Sequence, residues 1–228
     1  MSDQIDVRPS EVEFLETLQE SKNSIVFKVA FRGKTCVMKV YHDRRRSEAS
    51  SPDREVNLFV AESNAYHRLK SKGLCEQGVI PDFYGTIKNI EPALWSGLAK
   101  FLNDELPPNA ILTEYIPKMQ AIGLANYSEP RMAKFRQILD DIHKANVLHG
   151  DPMPRNMMVS LGGDQDRVLW VDFDSAQTFP EDGSHRRQKE WVEDEDELVD
   201  YFIEALVRED YKDGKLSRTY SYYYDYFR

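Results

Sequence analysis

The run Ile25-Val26-Phe27-Lys28-Val29-Ala30-Phe31 is β-branched and aromatic, is broken by Arg32-Gly33-Lys34, and resumes from Thr35 to Tyr41. That pattern predicts a β-hairpin. Strand character reaches back to Phe14, whereas residues 1–13 are polar and read as a loose arm. Residues 42–52 are charged and serine-rich, a loop. Over residues 53–72 the period changes: Val56, Phe59, Val60, Ala65, Tyr66 and Leu69 fall on one helical face, and Gly73 sits where a helix would stop. Residues 83–90 and 110–116 read as strands. Between them, residues 92–103 carry Leu94, Trp95, Leu98, Phe101 and Leu102 and predict a short amphipathic helix, ended by Pro107-Pro108.

Residues 128–146 form the clearest helix, with Ser128 as its cap and Met132, Phe135, Leu139, Ile142 and Ala145 as its apolar stripe. Two short strands, residues 157–160 and 168–172, join through Gly162-Gly163-Asp164. The basic run His185-Arg186-Arg187-Gln188-Lys189 reads as a solvated loop. The acidic run from Glu193 to Glu197 then opens a last helix through Val207, where carboxylates favour the helix dipole. A β-rich first half and a helix-rich second half predict an α+β chain in two lobes, connected through residues 114–118.

Composition narrows this picture. The chain has 228 residues, 41% hydrophobic and 30% charged, enough for one two-lobed domain with a real core. A net charge of −9 argues against duplex binding, which runs on phosphate neutralisation, so no nucleic-acid partner is expected. Two cysteines, Cys36 and Cys75, make neither a disulfide framework nor a zinc quartet. No apolar stretch approaches the roughly 20 residues that cross a bilayer, and the first residues lack a signal-peptide core. A cytoplasmic chain with no membrane partner is the expectation.

The candidate chemistry lies in two segments, His149-Gly150-Asp151-Pro152-Met153-Pro154-Arg155-Asn156 and Leu169-Trp170-Val171-Asp172-Phe173-Asp174. Phosphoryl transfer needs cations on the phosphates, ligands for those cations, and a carboxylate to orient the attacking hydroxyl. Hard Mg²⁺ wants oxygen ligands. An Asp and an Asn on a proline-stiffened loop, followed by a strand ending in Asp, can bring three such side chains to one cavity.

These segments resemble the protein-kinase-like superfamily, whose catalytic loop reads H-R-D-x-x-x-x-N and whose metal motif is D-F-G. Here they read H-G-D-P-M-P-R-N and D-F-D, with the Asp-to-Asn spacing preserved. Val37-Met38-Lys39-Val40 is similar to the strand bearing the phosphate-binding lysine. Glu62, or less favourably Glu55, stands for that lysine's partner. Ile111-Leu112-Thr113-Glu114-Tyr115-Ile116 resembles the hinge, with Thr113 as gatekeeper. The likeness spans roughly residues 14–208.

The resemblance implies a two-lobed kinase-like fold: an arm (1–13), a β-rich N-lobe (14–116), and a short helical C-lobe (117–228) with a Tyr-rich tail. It implies ATP and Mg²⁺ as cofactors. Asp151 would orient the acceptor hydroxyl, and Asn156 and Asp172 would hold the metal. Lys39, positioned by Glu62, would meet the α/β-phosphates, while the backbone of Glu114 and Ile116 would meet the adenine. Arg155 would supply positive charge to the transferring phosphate without being locked onto Asp151, whose carboxylate is expected free of any burying ion pair. Lys39→Met is expected to cost little stability.

The sequence also departs from the family. Leu18 to Val26 contains no glycine, so the glycine-rich phosphate loop is missing, and Glu20 would repel phosphate unless it points away. Met153 stands where serine/threonine kinases usually place a Lys. Asp174 replaces Gly and reads as a turn or capping residue ahead of one that touches metal or substrate. No A-P-E motif follows Asp172, and H-G-D with D-F-D is closer to the aminoglycoside-phosphotransferase branch. Five of the chain's 12 tyrosines crowd the segment from Tyr220 to Phe227 and are expected to dock on the C-lobe. The leading reading is an ATP-dependent kinase acting on a hydroxyl, a protein Ser/Thr slightly ahead of a small molecule. The alternative is a pseudokinase, a binding or regulatory module that keeps the fold.

Overall fold

The structure, a computed structural model, describes residues 4–43, 54–161, 166–181, 186–206 and 210–215. It is a mixed α+β chain with a mostly antiparallel sheet. Strands β1 (Val12–Glu20), β2 (Ser24–Phe31), β3 (Lys34–Tyr41), β4 (Phe83–Ile87) and β5 (Asn109–Glu114) form a five-stranded sheet in the order β1-β2-β3-β5-β4. The hairpin read from the alternation is β2–β3, with Val26 opposite Lys39. Its turn is made by Arg32 and Gly33, both at positive φ.

Side chains alternate across a strand, and here the alternation decides the site. On one face, Ile25, Phe27, Val29, Met38, Val40, Ala110 and Leu112 pack with Trp95, Leu98 and Phe101. Met38 and Val40 therefore send Lys39 and Tyr41 to the opposite face. That face meets helix α1 (Leu58–Ser71), whose Phe59, Ala65, Tyr66 and Leu69 join a larger core. The larger core is completed by α2 (Glu129–Lys144), β7 (Val147–Leu148), β8 (Met157–Ser160), β9 (Arg167–Trp170) and α3 (Arg186–Ala205). β6 (Met119–Ala121) flanks β8, and β10 (Gln177–Thr178) pairs with β7. Trp170 is fully buried there, and its indole N–H donates to the Phe135 carbonyl at 3.1 Å.

Most elements fall where the pattern predicts, but the short strands β6 and β10 were not expected, the strand over residues 83–90 ends at Ile87, and four further expectations change. The helix expected from residue 53 begins at Leu58, where Asn57 caps it by accepting from the Val60 N–H at 3.1 Å; Val56 is left exposed. Residues 92–103 form two 3₁₀ turns, Pro92–Leu94 and Ala99–Phe101, instead of one helix. Gly97 divides them, and a Cβ there would collide with the Phe14 ring. The basic run expected as a loop is helical from Arg186 onward, because no Gly or Pro interrupts it and Arg186 pairs with Glu190 one turn away at 3.0 Å. The arm is tied down: the Ile5 N–H donates to Thr86 O at 2.9 Å, and Glu11 accepts from the Arg32 guanidinium at 3.0 Å. The predicted turn at Gly162-Gly163-Asp164, His185, and the tail from Tyr220 to Phe227 lie outside the described residues. Among the described residues no helix is long and apolar enough to cross a membrane.

Candidate functional site

Lys39 is the centre of the site. Its Nζ donates to Glu62 Oε2 at 2.8 Å, Asp172 Oδ1 at 2.5 Å and Asp174 Oδ2 at 2.9 Å. Glu62 reaches it because it sits on the buried stripe of α1, between Phe59 and Tyr66, with 2% of its surface exposed. Its Oε2 also accepts from the Tyr41 hydroxyl. Asp172 and Asp174 arrive from the turn after β9. Asp172 has φ +66, a left-handed conformation that is uncommon outside glycine and stores strain.

One ammonium therefore faces three clustered carboxylates, and their charges respond. Burial raises the Glu62 carboxyl, the opposing pull of Lys39 notwithstanding, to about 7. Burial also pushes Asp174 up, with Asp172 adding repulsion against the attraction of Lys39. Asp172 goes the other way: burial works against its charge, but Lys39 outweighs it and holds the carboxyl below the usual range. Lys39 itself is pulled down by burial, yet the carboxylates outweigh that and hold it well above an ordinary lysine.

The segment His149 to Asn156 stands beside this cluster. The Val171 N–H donates to Asn156 O at 3.1 Å, and His149 Nε2 meets Val171 O at 3.1 Å, so the loop is bonded to the residue preceding Asp172. His149 is buried between Trp170 and Phe173 and serves as a brace. From the far side Glu195 of α3 accepts the N–H groups of His149 at 3.0 Å and Gly150 at 2.7 Å, and also meets His143 Nε2 at 2.7 Å.

Asp151 is not free, contrary to expectation. Arg155 Nη2 donates to its two carboxylate oxygens at 2.8 and 2.7 Å, and Asn156 Nδ2 donates to Oδ2 at 2.8 Å. The proline-bounded turn Pro154–Asn156 places Arg155 four residues from Asp151, within reach of a two-oxygen contact. Arg155 is the more exposed partner, at 65% against 19% for the Asp151 side chain. Asn156 is buried and spends its amide nitrogen on Asp151, so a metal would meet its amide oxygen.

The partner of Lys39 is Glu62, not Glu55, whose backbone N–H and carbonyl are both engaged by the Gln177 side chain. Lys39 is only 8% exposed, so the expectation of a mild Lys39→Met reverses: removing it strands three carboxylates, and breaking a buried pair costs about 3–5 kcal/mol. In the segment expected as a hinge, the Glu114 N–H donates to Asp82 O at 2.8 Å and its carboxylate is gripped by Arg167 at 2.6 and 2.9 Å. The Ile116 side chain is buried. In the glycine-free turn, Ser21 Oγ accepts the N–H groups of Asn23 at 3.2 Å and Ser24 at 3.1 Å. Glu20 points away to Lys100, at 2.6 and 2.5 Å.

Of four further contributors, Tyr41, Arg167 and Glu195 were not legible as such, and Asp174 reads as a turn residue ahead of a site residue. A carboxylate two positions after Asp172 was the one available signal for Asp174; the others are set by tertiary contact. Oxygen atoms of Glu62, Asp172 and Asp174 all lie within 4.8 Å of one another. Lys39 Nζ sits among these oxygens, so an all-oxygen set of this kind suits a hard divalent cation such as Mg²⁺ only where a carboxylate turns from the ammonium towards the metal. A comparison with known proteins found no matching family model and no matching curated protein.

Proposed function

We propose that this chain is a phosphotransferase with a protein-kinase-like two-lobed fold, moving the γ-phosphoryl group of ATP to a hydroxyl with a divalent metal. The observation that carries the reading is the convergence on Lys39. Glu62 and Asp172, named from the sequence as parts of one phosphate site and lying 23 and 133 residues away, both bond its ammonium. A buried lysine with a surplus of carboxylates is a poor device for stability, since desolvation offsets the attraction. It suits a site whose partners are exchanged for phosphate and metal.

In this reading the sheet and α1 form the first lobe, the larger helical part forms the second, and nucleotide lies between them. Lys39, set by Glu62, contacts the α/β-phosphates. A metal held by Asp172 and Asn156 would neutralise phosphate charge as it develops. Asp151 orients the acceptor hydroxyl and takes its proton as the hydroxyl oxygen bonds to the γ-phosphorus. The bond from that phosphorus to the β–γ bridging oxygen breaks, and ADP leaves. Positioning and charge supply most of the catalysis. Arg155 leaves Asp151 for the transferring phosphate. The acceptor is a protein Ser/Thr hydroxyl ahead of a small-molecule one.

Two observations favour the second reading, a nucleotide-free or nucleotide-binding pseudokinase. Asp151 is clamped by Arg155, and Ser21 consumes backbone N–H groups that a phosphate would need. Labelled ATP, Mg²⁺ and a fractionated lysate separate the two. Transfer of label to protein or metabolite, lowered by about two or more orders of magnitude in Asp151→Asn at unchanged ATP affinity, supports the enzyme. No transfer under any divalent metal, or transfer indifferent to Asp151→Asn, supports the pseudokinase.

A further inference from the structure

A lysine ammonium has three N–H donors and no acceptor. Around Lys39 Nζ three carboxylate oxygens, from Glu62, Asp172 and Asp174, stand at 2.8, 2.5 and 2.9 Å. With the Cε carbon as the fourth substituent, these contacts use every donor. A phosphate oxygen can reach Lys39 only by displacing one of them.

The three are not equally replaceable. Glu62 is enclosed on α1 and is shared with the Tyr41 hydroxyl. Asp172 follows Val171, whose N–H and carbonyl are both bonded to the catalytic loop, and precedes the fully buried Phe173. Asp174 lies in the turn beyond Phe173, and its second oxygen accepts from the hydroxyl of the adjacent Ser175 at 3.1 Å. The Asp172 side chain is the more exposed, at 35% against 22% for Asp174, but the residue before it is bonded on both sides, so the Asp174 carboxylate is the one that a ligand displaces with least rearrangement of the backbone.

We infer that Asp174 is a specificity-determining residue: it takes the place of a phosphate on Lys39 and so makes nucleotide entry depend on a divalent cation. The inference rests on reading Lys39 as the phosphate contact. A metal-free polyphosphate would approach three carboxylates with no free donor to meet it, and like charges in a low-dielectric site repel strongly. A metal-complexed polyphosphate brings a second cation for the aspartates to face, which releases Lys39 donors to the phosphate. The site thus admits the metal complex and rejects the free nucleotide.

Calorimetric titration of ATP into the full chain tests this, in EDTA and in Mg²⁺, for wild type, Asp174→Asn and Asp174→Ser. Both substitutions keep a small polar side chain in the turn, and thermal melts of each verify folding. The expected result is metal-free ATP binding strengthened about tenfold or more in both variants, with a smaller change for Mg²⁺–ATP. The ratio of the two affinities then shrinks. Wild type that binds Mg²⁺–ATP, with variants whose ratio is unchanged, overturns the role of Asp174 and leaves the phosphotransferase reading standing. No ATP binding by any of the three proteins in either condition overturns that reading, and the role of Asp174 with it.

Discussion

Between His149 and Asp151 the chain turns at φ +79, and a Cβ on Gly150 would collide with the Ser175 carbonyl oxygen. The segment His149 to Asn156 and the turn after Asp174 therefore touch through a residue with no side chain. Gly150→Ala must distort one of them. We expect a loss of about 2–4 kcal/mol, from left-handed strain plus the collision. Urea denaturation reads it as a lower midpoint, and a midpoint equal to wild type would refute the close packing. At this scale the sequence was informative about identity and silent about contact. Lys39, Glu62 and Asp172 are named together by the resemblance to the kinase-like superfamily, and they meet. Asp174 read as a turn residue because an aspartate after a strand usually is one. Roles on the acceptor and on the transferring phosphate predict Asp151 and Arg155 apart. Without a substrate phosphate, an arginine four residues away is the nearest strong donor.

Glu195 shows how an element carries a site that it does not line. It lies on the buried face of α3 and accepts two backbone N–H groups from the segment preceding Asp151. Glu195→Ala leaves those donors without their acceptor, at about 1–3 kcal/mol for each buried group. Hydrogen exchange should then show faster exchange of the His149 and Gly150 amides, with Glu195→Gln intermediate because its single amide oxygen can accept one of the two N–H groups that Oε1 and Oε2 of the carboxylate accept separately. Unchanged protection in Glu195→Ala would remove the brace from the account. The elements themselves were largely legible, since β2, β3, α1 and α2 each have one apolar face whose period is 2 or 3.6. Periodicity failed at residues 92–103, where Leu94 and Leu102 stay exposed and Gly97 yields to Phe14. It also failed at the start of α3, where a basic run looked like a loop and is helical. The acidic run that opened the predicted helix was assigned to the dipole, but Glu195 within it is buried for a tertiary reason.

Across the described residues, the five-stranded sheet separates two apolar clusters, and the alternation of β3 sends Lys39 to the side occupied by α1 and the segment His149 to Asn156. No local pattern fixes that side. It follows from which strand face meets the larger core, and hence the saturation of Lys39 was invisible before the fold. The central claim is that Lys39 and Asp172 belong to one metal-dependent nucleotide site. The most direct measurement is ATP affinity with and without Mg²⁺ for wild type and Asp172→Asn. Asn tolerates the left-handed backbone at this position and removes the charge, so the fold should persist. The account predicts that wild type binds ATP in a Mg²⁺-dependent manner and that Asp172→Asn weakens Mg²⁺–ATP binding by about tenfold or more, because an amide is a poorer ligand than a carboxylate for a hard cation. Wild type that binds no ATP with or without Mg²⁺, or Asp172→Asn that binds Mg²⁺–ATP as wild type does, would contradict it.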